Sequence, residues 1–272
     1  MIDATAPGDR RARILKRIQQ EGRVSLADLA SEHAVSAVTV HRDLQLLSEE
    51  GLLERVRGGA RSLADASARI ETGWNARLRE AAPEKDAIAA AARELIEDGS
   101  TIFIDASSTG LALAHAIELR PPADLTLVTT SPAIALGLSA ASIHVIVAPG
   151  ELDQHMRVLT GRWTIDFLSR LTFAAAFVSA AGITLGQGLT TSRSGLADTL
   201  NTAVDSAERV IGLMDSTKFE RSSLLTIRSA AALDLIITDD RLDPAVAEAF
   251  RAAGVNLRIV SGVTGESDAD AD

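Results

Sequence analysis

The 272-residue chain contains no cysteine. That absence excludes disulfides and thiolate-bound metals, and it leaves the cellular compartment undetermined by redox evidence. Aromatic residues make up only 3% and include no tyrosine. The two tryptophans, Trp74 and Trp163, read as packing residues rather than stacking platforms. The histidines, His33, His41, His115, His144 and His155, have no ligand spacing, so no metal site is expected. No apolar run approaches the roughly 18 residues of a membrane span, and the charged N-terminus lacks a signal-peptide core. A cytoplasmic protein without membrane contact is the expectation. No internal repeat is evident. What remains, 46% hydrophobic and 24% charged, is ordinary for a globular chain large enough for two domains.

Charge is unevenly spread. The whole chain carries −10, yet residues 1–61 carry +1, so the remainder is strongly acidic. Arg10, Arg11, Arg13, Lys16 and Arg17 crowd the opening segment, and Arg55, Arg57 and Arg61 cluster near residue 60. Local clusters of this kind suit a phosphate backbone, while the acidic remainder discourages indiscriminate binding to polyanions.

The stretch 24–60 holds the strongest motif. Ser25 with Asp28 three residues on has capping-box spacing for one short helix. Ala34-Val35-Ser36 breaks it, and Ser36 is placed to cap a second helix. There Val40, Leu44 and Leu47 form a buried i, i+4, i+7 stripe. Val38, Arg42 and Gln45 fall on the opposite face with His41 beside them. An arginine and a glutamine projecting together suit base edges in a major groove. A Gly-punctuated hairpin containing Arg55 and Arg57 follows.

Ser36, Thr39, Val40, Arg42, Asp43 and Leu44, with 50–53 and the Arg57-Gly58-Gly59-Ala60 run, closely resemble the winged helix-turn-helix of DeoR-type bacterial transcriptional regulators. The family usually has a second basic residue where this chain has His41. The resemblance implies DNA contacts from Ser36, Val38, Thr39, His41, Arg42, Gln45, Arg55 and Arg57. It divides the chain into a winged helix-turn-helix domain at 8–63, with the helix-turn-helix at about 24–43. A connector at 64–82, an effector-binding domain at 83–260 and a disordered acidic tail at 261–272 follow.

Past the connector, the Ala-rich stretch 84–99 reads as a long helix ended by Gly99. Apolar runs at 101–105, 125–130, 143–149, 174–180, 209–215, 233–239 and 257–260 read as buried strands. Amphipathic stretches around 109–119, 132–140, 163–171, 194–207 and 243–253 lie between them. Such alternation predicts an α/β domain with a mainly parallel sheet covered on both faces. Ligands in such sheets bind beyond the carboxyl ends of strands. The strand-end loops carry Asp105, Ser107, Ser108, Thr109, Thr130, Gly150, Glu151, Gly182, Gly188, Thr190, Thr191, Asp215 and Lys218. Hydroxyls and free amides at a helix start suit an anion, phosphate best. Lys218, one of three lysines against 24 arginines, is a candidate phosphate partner. Any one of these loops alone is also ordinary turn chemistry.

Together they resemble the effector domain of DeoR-type regulators, which is similar to ribose-5-phosphate isomerase and binds phosphorylated sugars or related metabolites. Arg77 and Lys85 also match that pattern. The chain departs from it at Ala181, where the family tends to be acidic, and at Gly195, Leu196 and Leu200, where members often carry an acidic residue and a lysine. The expected protein is therefore a homo-oligomeric repressor of carbohydrate genes, dimeric or larger, without cofactor. Operator DNA and a phosphorylated metabolite would be its partners. Two alternatives stand beside it. One is a DNA-binding protein whose second domain is purely structural. The other is an isomerase-like enzyme, with Asp105, Glu151 and Asp215 as candidate carboxylates, although no matched base is identifiable.

Overall fold

A computed structural model describes residues 7–49, 52–56, 58–62, 74 and 76–261. The chain divides into two compact units, Met1–Asn75 and Ala76–Asp272. Arg57, most of the connector and the tail beyond residue 261 lie outside the described residues.

In the first unit α1 (Pro7–Glu21), β1 (Arg23–Ser25), α2 (Leu26–Glu32), α3 (Ala37–Glu49), β2 (Leu53–Val56) and β3 (Gly59–Ser62) follow in order. The strands form a small antiparallel sheet, β1-β3-β2. Ser25 Oγ accepts from the Asp28 amide at 3.1 Å and donates to its carboxylate at 2.7 Å, starting α2 as the capping-box spacing predicts. Ala34, at φ 52°, makes the turn between helices. Ile14, Ile18, Leu29, Val40, Leu44, Leu47 and Leu53 form the core of this unit. The Gly58-Gly59 pair is required by geometry. Gly58 has φ +83°, and a Cβ on Gly59 would stand 2.1 Å from the Val24 carbonyl.

In the second unit residues 76–79 are helical, and α4 (Ala82–Arg93) follows. The helix expected to run to Gly99 stops earlier. Leu95 and Ile96 bond to the carbonyls three residues back, tightening the end, and Gly99 at φ +71° redirects the chain. Seven strands then form a wholly parallel sheet: β4 (Thr101–Ile104), β5 (Leu125–Thr129), β6 (Ile143–Val147), β9 (Ala175–Val178), β12 (Val210–Leu213), β14 (Leu235–Asp239) and β15 (Leu257–Val260). Their spatial order is β15-β14-β12-β9-β4-β5-β6.

Each strand alternates between two cores. Ile102, Ile104 and Phe177 face one, while Phe103, Ala176 and Val178 face the other. Helices α4, α5 (Ser108–Leu119) and α6 (Pro132–Gly137) pack on the first face. Helices α7 (Arg162–Leu168), α8 (Ser194–Asp205) and α9 (Pro244–Ala252) pack on the second. Helix α6 is shorter than predicted because the Glu118 carboxylate accepts from the amides of Ser139 and Ala140, pulling that segment out of helix.

The order determines where a ligand fits. From β4 the chain moves outward through β5 and β6, then returns to lay β9 on the other side of β4. Right-handed crossovers in opposite directions put helices on opposite faces and leave a crevice at the β4/β9 carboxyl ends. Two antiparallel additions cap that end: the hairpin of β7 (Glu151–Asp153) and β8 (Val158–Thr160), and the sheet of β10 (Gly182–Thr184), β11 (Gly188–Thr191) and β13 (Leu225–Arg228). Among the described residues no helix is long and apolar enough to cross a membrane.

Candidate functional site

Helix α3 of the first unit presents a two-faced surface. Val40, Leu44 and Leu47 are buried, whereas Val38, His41, Arg42 and Gln45 are exposed. The hydroxyl of Ser36 accepts from the Thr39 amide at 3.2 Å and lies 2.8 Å from Thr39 Oγ1, forming the N-cap. Arg10 of α1 holds the buried Asp43 through its Nε at 2.6 Å, which keeps the carboxylate paired and fixes the angle between the helices. Arg55 on β2 donates to His41 Nδ1 at 3.0 Å, joining the hairpin to α3. Among the described residues Arg42 makes no hydrogen bond or ion pair within the chain. Of the basic cluster on α1, Arg10 is committed to Asp43, and Arg17 to Glu21 and Glu32.

In the second unit a cavity of about 270 Å³ opens at the β4/β9 crevice. Its floor is the turn from β4 into α5. Asp105 ends β4, and one carboxylate oxygen accepts from the Ser107 amide at 3.2 Å and hydroxyl at 2.6 Å. The other accepts from the Ser179 amide at 2.8 Å, so the carboxylate ties the ends of β4 and β9 together. Complete burial outweighs these bonds and pushes its pKa up to about 6. Ser107 Oγ in turn accepts from Gly110 N at 2.8 Å, capping α5. The cap leaves the amides of Ser108 and Thr109 at the helix start, where the dipole favours an anion.

Opposite stand Thr191 and Lys218. Lys218 closes a 3₁₀ turn, Ser216–Lys218, and its Nζ lies 3.9 Å from the buried Asp215. Lys85 sits behind. Its Nζ donates to the carbonyl of Arg77 at 2.6 Å and to that of Glu80, holding in place the turn whose side chains line the cavity. Burial pushes the Lys85 pKa down, against the pull of the Asp215 charge.

The strand-end residues separate by position. Asp105, Ser107, Ser108, Thr109, Thr191 and Lys218 line the cavity. Asp215 instead accepts from the Thr217 amide at 3.1 Å and caps the turn carrying Lys218. Thr190 Oγ1 donates to the Gly182 carbonyl and accepts from the Ser223 amide, bracing the β11 edge. Gly182 and Gly188 are where backbones meet: a Cβ there would stand 2.3 Å from Arg221 O and 2.1 Å from Arg228 O. Thr130 is buried away from the cavity, with its hydroxyl unpartnered. Gly150 and Glu151 border a separate, smaller pocket beside Arg162 and Trp163. Sequence reading passed over Ser179, Met156, Val158 and Glu80, which also line the main cavity. Ser179 could have been found from its place at a strand end. Met156 and Val158 arrive on a hairpin too short to show periodicity.

Two families of known domains match this chain. The DeoR-like helix-turn-helix domain covers residues 10–66, and the DeoR C terminal sensor domain covers 80–240. The chain belongs to the DeoR family of transcriptional regulators. It is 31% identical to the HTH-type transcriptional regulator GolR of Listeria innocua, over 93% of this chain and 98% of the relative. It is equally 31% identical to the glycerol-3-phosphate regulon repressor of Escherichia coli, over 83% and 88%. Ribose 5 phosphate isomerase A of Neisseria gonorrhoeae aligns over 52% of this chain and 54% of its own, at 17% identity and a TM-score of 0.38. In this DeoR-family regulator α3 lies within the matched helix-turn-helix domain. All the cavity lining except Arg77 falls in the matched sensor domain.

Proposed function

We propose that this regulator is a cytoplasmic repressor of carbohydrate-metabolism genes, bound to operator DNA as a homo-oligomer. A phosphorylated sugar or related metabolite in the β4/β9 cavity releases it. The observation that carries this reading is the capped start of α5 facing Lys218 across a cavity at the strand-order switch. The Ser108 and Thr109 amides, their hydroxyls, Thr191 and Lys218 supply donors and charge for a phosphate. Asp105, Ser107, Gly182, Gly188, Thr190 and Asp215 shape that cradle, whereas Thr130, Gly150 and Glu151 stand outside it. On DNA, Val38, His41, Arg42 and Gln45 face the major groove. Ser36 and Thr39 fix the helix start, and Arg55 and Arg57 serve the wing. No catalytic step is assigned, because the named relatives are regulators and Asp105 spends both oxygens on Ser107 and Ser179.

Release requires the ligand to favour one placement of the DNA readers over another. The test titrates wild type and Lys218→Ala with a panel of sugar phosphates and their free sugars on one operator fragment. Each charge-assisted bond to phosphate contributes roughly 1.5–3 kcal/mol. Wild type should release DNA with a phosphorylated compound only, and Lys218→Ala should stay bound while keeping its DNA affinity. Equal responses of the two proteins, or of free and phosphorylated sugar, would move the sensor elsewhere.

A further inference from the structure

Val38 is 78% exposed in the first turn of α3, the end of a recognition helix that meets base edges. A lone exposed apolar side chain carries no weight by itself. Its surroundings give it meaning. The neighbouring Ala37 is exposed too, and the two hydroxyls of this turn, on Ser36 and Thr39, lie 2.8 Å apart in the N-cap. The tip of the helix therefore offers methyl groups, while His41, Arg42 and Gln45 further along offer polar ones. A β-branched residue is also a poorer choice than alanine, lysine or glutamate at an exposed helical position. Folding of the free chain gains little from valine there.

In the major groove the apolar feature of a base edge is the C5-methyl of thymine. We infer that Val38 is a specificity-determining residue that reads a thymine methyl group, next to the bases met by Arg42 and Gln45. The inference rests on the DNA-reading assignment of α3 and adds to it the base chosen at one position.

The experiment uses the full chain and an operator that it selects from random synthetic duplexes, in which thymine is the sole source of a pyrimidine methyl. Each thymine of that operator is replaced in turn by uracil, which removes the methyl and keeps every hydrogen-bonding group. Wild type should lose affinity about fourfold at one or more thymines, the fold-change of the ~0.8 kcal/mol for one buried carbon group. Val38→Ala should lose nothing further at those positions. Val38→Thr, which keeps one γ-methyl, should retain part of the sensitivity. Uniform indifference of wild type to uracil, or equal sensitivity in Val38→Ala, overturns the inference while leaving α3 a DNA reader. If the full chain selects no sequence at all, the DNA-reading assignment fails, and the inference falls with it.

Discussion

At the scale of single residues, Asp105 is set by two opposed effects. Its carboxylate collects three hydrogen bonds, yet burial dominates and raises its pKa from 3.8 to about 6. The unfolded chain ionises first as pH rises, so stability from this group is full below about 3.8 and is lost up to about 6. A shift of about two units corresponds to about 3 kcal/mol. Asp105→Asn does not titrate. The unfolding free energy of wild type minus that of the variant should therefore fall by about 2–3 kcal/mol between about pH 4 and pH 7. Urea unfolding of the full chain measures it, and a constant difference would mean that the carboxyl titrates normally in the fold. The residue identities behind the cavity were legible in the sequence, since Asp105, Ser108, Thr109 and Lys218 stand at strand ends. The use of each hydroxyl was not. Ser107 reads as a phosphate donor, but its oxygen is occupied by Asp105 and Gly110.

At the scale of elements, the join of β4 to α5 depends on one glycine. A Cβ on Gly110 would stand 2.6 Å from the Asp105 carbonyl and 2.8 Å from its carboxylate. Gly110→Ala must push strand end and helix start apart. It should cost roughly 1–3 kcal/mol as overpacking and abolish the response to effector, because both walls of the cradle move. Gly186→Ala is the control, since a Cβ there meets nothing within 4 Å. Thermal unfolding of both variants decides it, and equal melting temperatures would show that the turn yields freely. All seven strands of the parallel sheet were visible as apolar runs, and in the five inner ones burial on both faces makes the runs continuous. The short strands β7, β8, β10, β11 and β13 were not. Three or four residues of mixed polarity show neither a period nor an apolar run, and the pairing of β11 with β13 is long-range.

At the scale of the whole molecule, charge is divided between functions. The chain carries −10 overall, yet residues 1–61 carry +1, so the acidic excess lies in the remainder. Attraction to DNA must therefore come from local phosphate contacts. Operator affinity should fall about tenfold or more when salt rises from about 50 to 200 mM, the dependence of a site that neutralises several phosphates. Electrophoretic mobility shift at several salt concentrations measures it, and a flat response would mean that phosphate contacts are absent. Arg10 is not counted among those contacts, because it is spent on Asp43.

Sequence by itself determined the local features of this protein: the capped helices of the DNA reader, the buried stripe of α3 and the alternation of strands and helices. These rest on interactions between residues a few positions apart, which periodicity and capping chemistry record. Only the tertiary structure decided that β9 returns to lie beside β4, creating the crevice where Asp105 reaches the Ser179 amide 74 positions away. Buried parallel strands are apolar on both faces and bear no mark of their neighbours. Their order follows instead from the handedness of crossovers and from packing two cores at once. The same long-range packing made Gly182, Gly188 and Thr190 parts of the frame and placed Lys218 at the cavity.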